Sequence, residues 1–80
     1  MHIEILGSGC ARCHNLEANV RKALTLLGKE AEVVAVTEMA QIMAYGVLSM
    51  PALVVDGKVL ASGRVLSPEE VKRLLLNAGI

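Results

Sequence analysis

A pair of cysteines, placed where a strand pattern gives way to a helix pattern, constrains this chain more than any other feature. Cys10 and Cys13 are the only cysteines among its 80 residues. Before them, Ile3 and Ile5 alternate with polar residues, as in a strand; after them, apolar residues recur every three or four positions, as in a helix. A helix start presents unpaired N–H groups and the positive end of the helix dipole, which lower a thiol pKa from about 8.5 toward about 3.5–7.5. The junction therefore predicts a reactive dithiol, in which Cys10 attacks and the more covered Cys13 resolves.

The rest of the chain predicts the element order β-α-β-α-β-β-α. Asp56 and Gly57 are a strong two-residue hairpin signal, and Ser67 with Glu70 is a capping box at the start of the last helix. Thr37 is the expected cap of the short middle helix. A crossover through the first helix makes the second strand parallel to the first, so the sheet is mixed. We expect strands over residues 2–6, 32–36, 52–55 and 58–61, and helices over about 11–27, after 37, and from 67.

Composition favours a sheet that helices cover on both faces. Apolar residues make up 54% of the chain, and only one residue is aromatic. Valine-rich strands are typical of sheets buried on both faces. Eighty residues suit one domain, so we expect a single α/β domain over residues 1–80 with a four-stranded sheet between helices.

Charge and hydropathy exclude two classes of partner. The formal net charge is zero and basic residues are not clustered, so the footprint of a nucleic-acid-binding protein is absent. The longest uncharged stretch contains Gly46 and Pro51, and it reads as helix plus strand instead of a membrane span. The first four residues lack the basic and apolar regions of a signal peptide. We therefore expect a cytoplasmic monomer.

The position of the cysteines, the hairpin signal and a proline that opens the third strand resemble the thioredoxin superfamily along the whole chain. In size the chain is similar to the minimal, glutaredoxin-sized thioredoxin-like proteins. The resemblance implies a thioredoxin fold, in which Pro51 follows a cis peptide bond and faces the cysteines. It also implies that the backbone of Met50 pairs with an extended substrate chain, as an added strand. Pro51 and Met50 are thus expected to shape a substrate groove.

The same resemblance implies thiol–disulfide oxidoreduction without a cofactor, with protein disulfides and an unidentified reductase as partners. Gly63 either belongs to a simple turn or lies at the rim of the substrate groove. Arg12, between the cysteines, is either a solvated side chain or a fixed positive charge that stabilises the Cys10 thiolate. Glu4 lies six residues before Cys10, where full-length thioredoxins have a buried aspartate, and is therefore a candidate acceptor for the proton of Cys13. The alternative is that Glu4 lies at a solvated strand end, ionised and without a role in proton transfer.

Two metal-based alternatives use the same cysteines. Soft thiolates at this spacing also suit a carrier of Cu(I) or Zn(II), but small copper-chaperone domains end in a strand, whereas this chain ends in a capped helix. The run from Cys10 to His14 matches the C-x-x-C-H pattern of haem attachment, but almost no aromatic residues are available to line a haem pocket. We therefore expect no bound metal, and we assign Met39 and Met43 to the core.

Overall fold

A computed structural model describes residues 1–7, 9 and 11–79 of the chain. The elements follow the predicted order, and β4 extends one residue beyond its expected end. The described helices and strands are β1 (His2–Leu6), α1 (Ala11–Leu27), β2 (Glu32–Val36), α2 (Met39–Ala44), β3 (Ala52–Val55), β4 (Lys58–Ser62) and α3 (Pro68–Asn77). Within this part of the chain, no helix is long and apolar enough to cross a membrane.

The four strands form one mixed sheet in the order β2-β1-β3-β4. β1 pairs with β2 in parallel and with β3 antiparallel, and β3 pairs antiparallel with β4. The turn between β3 and β4 places Asp56 at φ 49° and Gly57 at φ 83°. Two successive positive φ values are what a type I′ hairpin turn requires, so the hairpin prediction is confirmed.

Helices cover both faces of the sheet. Ile3 and Ile5 of β1 lie in a core with side chains of α1 and α3, among them Leu16 and Leu75. Leu6 faces the other way and lies in a second core with residues of β2, α2 and β3. Because successive side chains of a strand point to opposite faces, β1 separates the α1 side of the molecule from the α2 side.

The N-terminal ends of the two shorter helices, α2 and α3, are capped differently. At α3, the Ser67 side chain accepts from the Glu70 N–H at 3.2 Å, and the Glu70 carboxylate accepts from the Ser67 N–H at 3.1 Å, which confirms the capping box. At α2, the capping prediction for Thr37 is wrong. The N-cap position belongs to Glu38, whose carbonyl accepts from the Ile42 N–H at 3.1 Å and whose side chain makes no capping hydrogen bond.

Candidate active site

Cys13 is buried in the first turn of α1, directly against the end of β1. Only 6% of the residue is exposed, in agreement with the expectation that helix α1 covers it. A Cβ atom added to Gly7, which follows β1, would lie 2.2 Å from the Sγ atom of Cys13. Real Cβ atoms do not approach a neighbour that closely, so the sulfur occupies space that only a glycine at position 7 leaves open.

A small cavity of about 50 Å³ lies beside Cys13. Its polar lining side chains belong to α1 and to the segment after β2. Cys10 lies outside the described residues, and its exposure and its role as nucleophile stay predictions. The residues that line the cavity are Ile5, Gly7, Gly9, Cys13, His14, Glu17, Ala35 and Thr37.

Pro51 precedes β3 and follows a cis peptide bond from Met50, as the family resemblance implies. The Pro51 side chain is fully buried, whereas Met50 is half-buried. The carbonyl oxygen of Pro51 accepts a hydrogen bond from the N–H of Gly63 at 2.8 Å. The structure thus brings together two of the expected substrate-binding residues, Pro51 and Gly63.

Gly63 lies just after β4 and contacts two further segments of the chain. Its φ of 75° is in the left-handed region, and a Cβ there would come within 2.9 Å of the Ser49 Cβ. Its carbonyl oxygen accepts from Nη2 of Arg12 at 3.2 Å. Arg12, which was expected as a solvated side chain or as a charge near Cys10, is therefore hydrogen-bonded to the turn beside Pro51.

An apolar groove of about 270 Å³ adjoins Met50. Met39 is 48% exposed and Met43 is 66% exposed, so the prediction that these two residues belong to the core is wrong. The reason is the shortness of α2: its six residues bury only Ile42 against the sheet. The groove is lined by Met39, Ile42, Met43, Gly46, Val47, Leu48 and Met50.

Glu4 lies on the α2 side of the sheet, whereas Cys13 packs on the α1 side. The Glu4 side chain is 16% exposed, and its carboxylate accepts a hydrogen bond from the hydroxyl of Tyr45. Nε2 of His2 lies 3.8 Å from the same carboxylate oxygen. The hydrogen bond to Glu4 is the main reason that the pKa of Tyr45 is raised, and desolvation and the negative charge of Glu4 add to it. A role for Glu4 in accepting the proton of Cys13 stays a prediction.

Sequence reasoning missed two residues, Gly7, which contacts Cys13, and Tyr45, which contacts Glu4. Gly7 belongs to a Gly-Ser-Gly run that reads as a strand terminator. Only the folded chain reveals that its missing side chain makes room for Cys13. Tyr45 is the sole aromatic residue, and that fact could have prompted a search for a polar partner of its hydroxyl group, since buried tyrosines usually have one.

Comparison with known proteins places this geometry in a family. The family described as "Thioredoxin domain" matches residues 1–76. The chain belongs to the thioredoxin family. It is 47% identical over 75 residues to a protein named thioredoxin from Methanothermobacter thermautotrophicus, a match that covers 94% of this chain and 97% of the relative. It is 37% identical over 73 residues to a thioredoxin from Methanocaldococcus jannaschii, covering 91% and 84% of the two chains.

A solved structure described as that of a malarial protein has the same fold. The two structures agree with a TM-score of 0.70 over 99% of this chain and 97% of the other, at 16% sequence identity. This neighbour and the family match confirm the thioredoxin fold expected from the sequence. The family match and the relatives named thioredoxin confirm the expected membership of a thioredoxin-like redox family.

Proposed function

We propose that this thioredoxin-family protein is a thiol–disulfide oxidoreductase that reduces or exchanges protein disulfides with Cys10 and Cys13. The burial of Cys13 against Gly7 carries the proposal. A thiol that is 6% exposed is poorly accessible to a disulfide in solution, but it can react with a sulfur joined to Cys10, three residues away. That arrangement suits a resolving cysteine, and the relatives named thioredoxin support the same chemistry.

The reaction consists of two thiol–disulfide exchanges. The Cys10 thiolate attacks one sulfur of the substrate disulfide, so a mixed disulfide forms and the other substrate sulfur leaves as a thiolate. Cys13 then loses its proton and attacks the Cys10 sulfur. The Cys10–Cys13 disulfide forms, and the second substrate sulfur leaves as a thiolate. Two electrons pass from the protein to the substrate, and an external dithiol or a reductase restores the reduced protein.

The segment around Pro51 supplies the substrate groove in this proposal. Met50 precedes Pro51, which leads into β3, and its backbone pairs with an extended substrate chain by strand addition. Gly63, which is hydrogen-bonded to Pro51, forms a rim of this groove. The apolar groove beside Met50 offers methionine side chains, which adapt to apolar groups of different shapes. We place this chemistry in the reducing cytoplasm.

Two cysteine variants test the proposal. Wild-type protein with dithiothreitol as reductant is expected to reduce insulin disulfides faster than dithiothreitol alone. Cys13→Ser is expected to accumulate a mixed disulfide with insulin, because the resolving sulfur is missing, whereas Cys10→Ser is expected to be inactive. Mass spectrometry identifies the trapped species. The proposal fails if Cys10→Ser retains wild-type activity, or if both cysteines of the reduced wild type are alkylated at the same rate.

Metal analysis of the same protein tests the alternative, a soft-metal carrier. The protein is purified without oxygen, and Cu and Zn are measured beside insulin reduction. A stoichiometric metal content without reductase activity would establish the carrier in place of the oxidoreductase. Pro51→Ala is expected to slow disulfide exchange and to increase metal uptake, because the proline ring crowds an ion that would bridge the two sulfurs. If Pro51→Ala keeps full activity and takes up no metal, the proline only marks the start of β3.

A further inference from the structure

Gly63 is the point at which three segments of the chain meet. Its N–H donates to the carbonyl oxygen of Pro51 at 2.8 Å, and its own carbonyl oxygen accepts from Arg12 at 3.2 Å. It approaches Ser49 so closely that an added Cβ would lie 2.9 Å from the Ser49 Cβ. The first turn of α1, the segment 49–51 and the end of β4 therefore converge on one residue.

Arg12 joins the cysteine-bearing turn to the other two segments. It lies between Cys10 and Cys13 in the sequence, and it reaches a backbone acceptor 51 residues away. A guanidinium group is planar and rigid, so its hydrogen bonds restrict the distance and direction of the acceptor more than those of an ammonium group do. Because Gly63 is bonded on its other side to Pro51, a displacement of Gly63 from Arg12 also disturbs the carbonyl group of Pro51.

We propose that Arg12 is a positioning residue, which holds Gly63 and thereby keeps the segment 49–51 at a fixed separation from the first turn of α1, which contains Cys13. This role rests on the proposed reduction of protein disulfides. It predicts that Arg12 acts mainly on the binding of a polypeptide substrate, which must fit between α1 and the segment 49–51. The alternative role is purely electrostatic: the guanidinium charge stabilises the Cys10 thiolate and leaves the groove unaffected.

Replacement of Arg12 by methionine distinguishes the two roles. Methionine keeps an unbranched apolar stem but removes the charge and every donor. We expect Arg12→Met to raise the KM for insulin about 2- to 5-fold and to leave kcat within about twofold, because this hydrogen bond is exposed and contributes about 0.5–1 kcal/mol, which is that fold-change at 1.4 kcal/mol per tenfold. Arg12→Lys retains one charged donor and is expected to restore part of the lost affinity.

Arg64→Met is the matched control. Arg64 is adjacent to Gly63 in the chain and carries the same charge, but its guanidinium binds the Glu70 carboxylate at 2.7 Å. A general effect of positive charge on the site would appear in both variants. A positioning effect appears in Arg12→Met alone. Thermal unfolding of each variant is recorded first, and KM is measured below the lowest transition so that local unfolding does not contribute.

The pH dependence of Cys10 alkylation supplies an independent readout. Positioning predicts that the alkylation midpoint of Arg12→Met equals that of the wild type. It also predicts that the rate with a small aromatic disulfide falls less than the kcat/KM for insulin. A raised midpoint with equal losses for both substrates would overturn the proposal in favour of the electrostatic role, and a wild-type KM for insulin would overturn it outright. If the wild type itself does not reduce insulin, the proposed function fails instead.

Discussion

The close contact between Gly7 and Cys13 makes Gly7→Ala the most informative substitution in this protein. The φ angle of Gly7 is outside the left-handed region, so alanine introduces no backbone strain there. It introduces only a steric conflict, since the new Cβ would lie 2.2 Å from Sγ and 3.0 Å from Cβ of Cys13. Ordinary van der Waals contact begins at 3.4 Å, and the sulfur must therefore move by about 1.2 Å, the difference between 3.4 and 2.2 Å.

That displacement has consequences for stability and for catalysis. Overpacking of a core costs about 1–3 kcal/mol, and the cavity of about 50 Å³ beside Cys13 gives the sulfur some room to move. At about 2 kcal/mol, Tm is expected to fall by about 8–16 °C in a domain of this size. The effect on chemistry is larger, because a misplacement of about 1 Å can slow a positioned reaction about 100-fold. Resolution of the mixed disulfide by Cys13 is the affected step.

Two measurements check this reasoning. Thermal unfolding followed by circular dichroism gives the loss of stability, and single-turnover reduction of insulin gives the rate of resolution, with a mixed disulfide expected to accumulate. The control is Gly7→Ala in a Cys13→Ala background, where the sulfur is absent. In that background the loss of stability caused by Gly7→Ala is expected to fall by more than half. Only the milder steric conflict with the Cβ atom at position 13 remains. An equal cost in both backgrounds, or a fully active Gly7→Ala protein, would refute the steric account.

Four further predictions concern the rest of the molecule. Tyr45 is the only tyrosine, so an absorbance titration reports on it alone. The midpoint is expected above 10.0 in the wild type and closer to 10.0 in Glu4→Gln. The free energy of unfolding is expected to decrease as pH rises from 10.0 through the raised pKa of Tyr45. Ser67→Ala removes the hydroxyl group that accepts from the Glu70 N–H in the α3 capping box. It is expected to lower the free energy of unfolding by about 1 kcal/mol, measured by urea denaturation. The pKa of Glu70 is lowered, chiefly by the hydrogen bond from the Ser67 N–H, so the contribution of this group to stability is expected to be lost as pH falls from 4.5 through that lowered pKa, and urea midpoints measured across this range check it. Gly63→Ala combines a left-handed φ with a close contact, and its Tm is expected below that of the wild type; an unchanged Tm would contradict this prediction.

Local signals account for the parts of the fold that the sequence predicted correctly. The Asp56–Gly57 turn depends on two residues that tolerate positive φ, and the α3 capping box depends on Ser67 and Glu70, which are three residues apart. Each of these features is determined by residues that are close together in the chain, so the sequence alone predicts it. The strand–helix junction that holds Cys13 is local in the same sense, but the burial of Cys13 is not, because Arg12 and His14 in the same turn are exposed.

Tertiary contacts account for what the sequence did not predict. Nothing near Met39 or Met43 indicates exposure; these residues are exposed because α2 lies on the sheet with Ile42 alone facing inward. The partner of Tyr45 is Glu4, 41 residues away, and the two meet only because β1 lies beneath α2. Long-range pairs of this kind depend on strand order and helix placement, which alternation of apolar residues does not specify.

Two glycines illustrate why the site is harder to predict than the fold. Gly7 and Gly63 both stand in short turn-like segments, where glycine is usually explained by backbone conformation. In the folded chain each one also makes room for a neighbour: Gly7 for the sulfur of Cys13, and Gly63 for the side chain of Ser49. The first contact sets the position of the buried thiol, and the second sets the position of the segment that leads to Pro51. Both sides of the candidate active site therefore depend on a glycine, which has no side chain. A sequence motif that contains only the reacting residues does not specify either glycine.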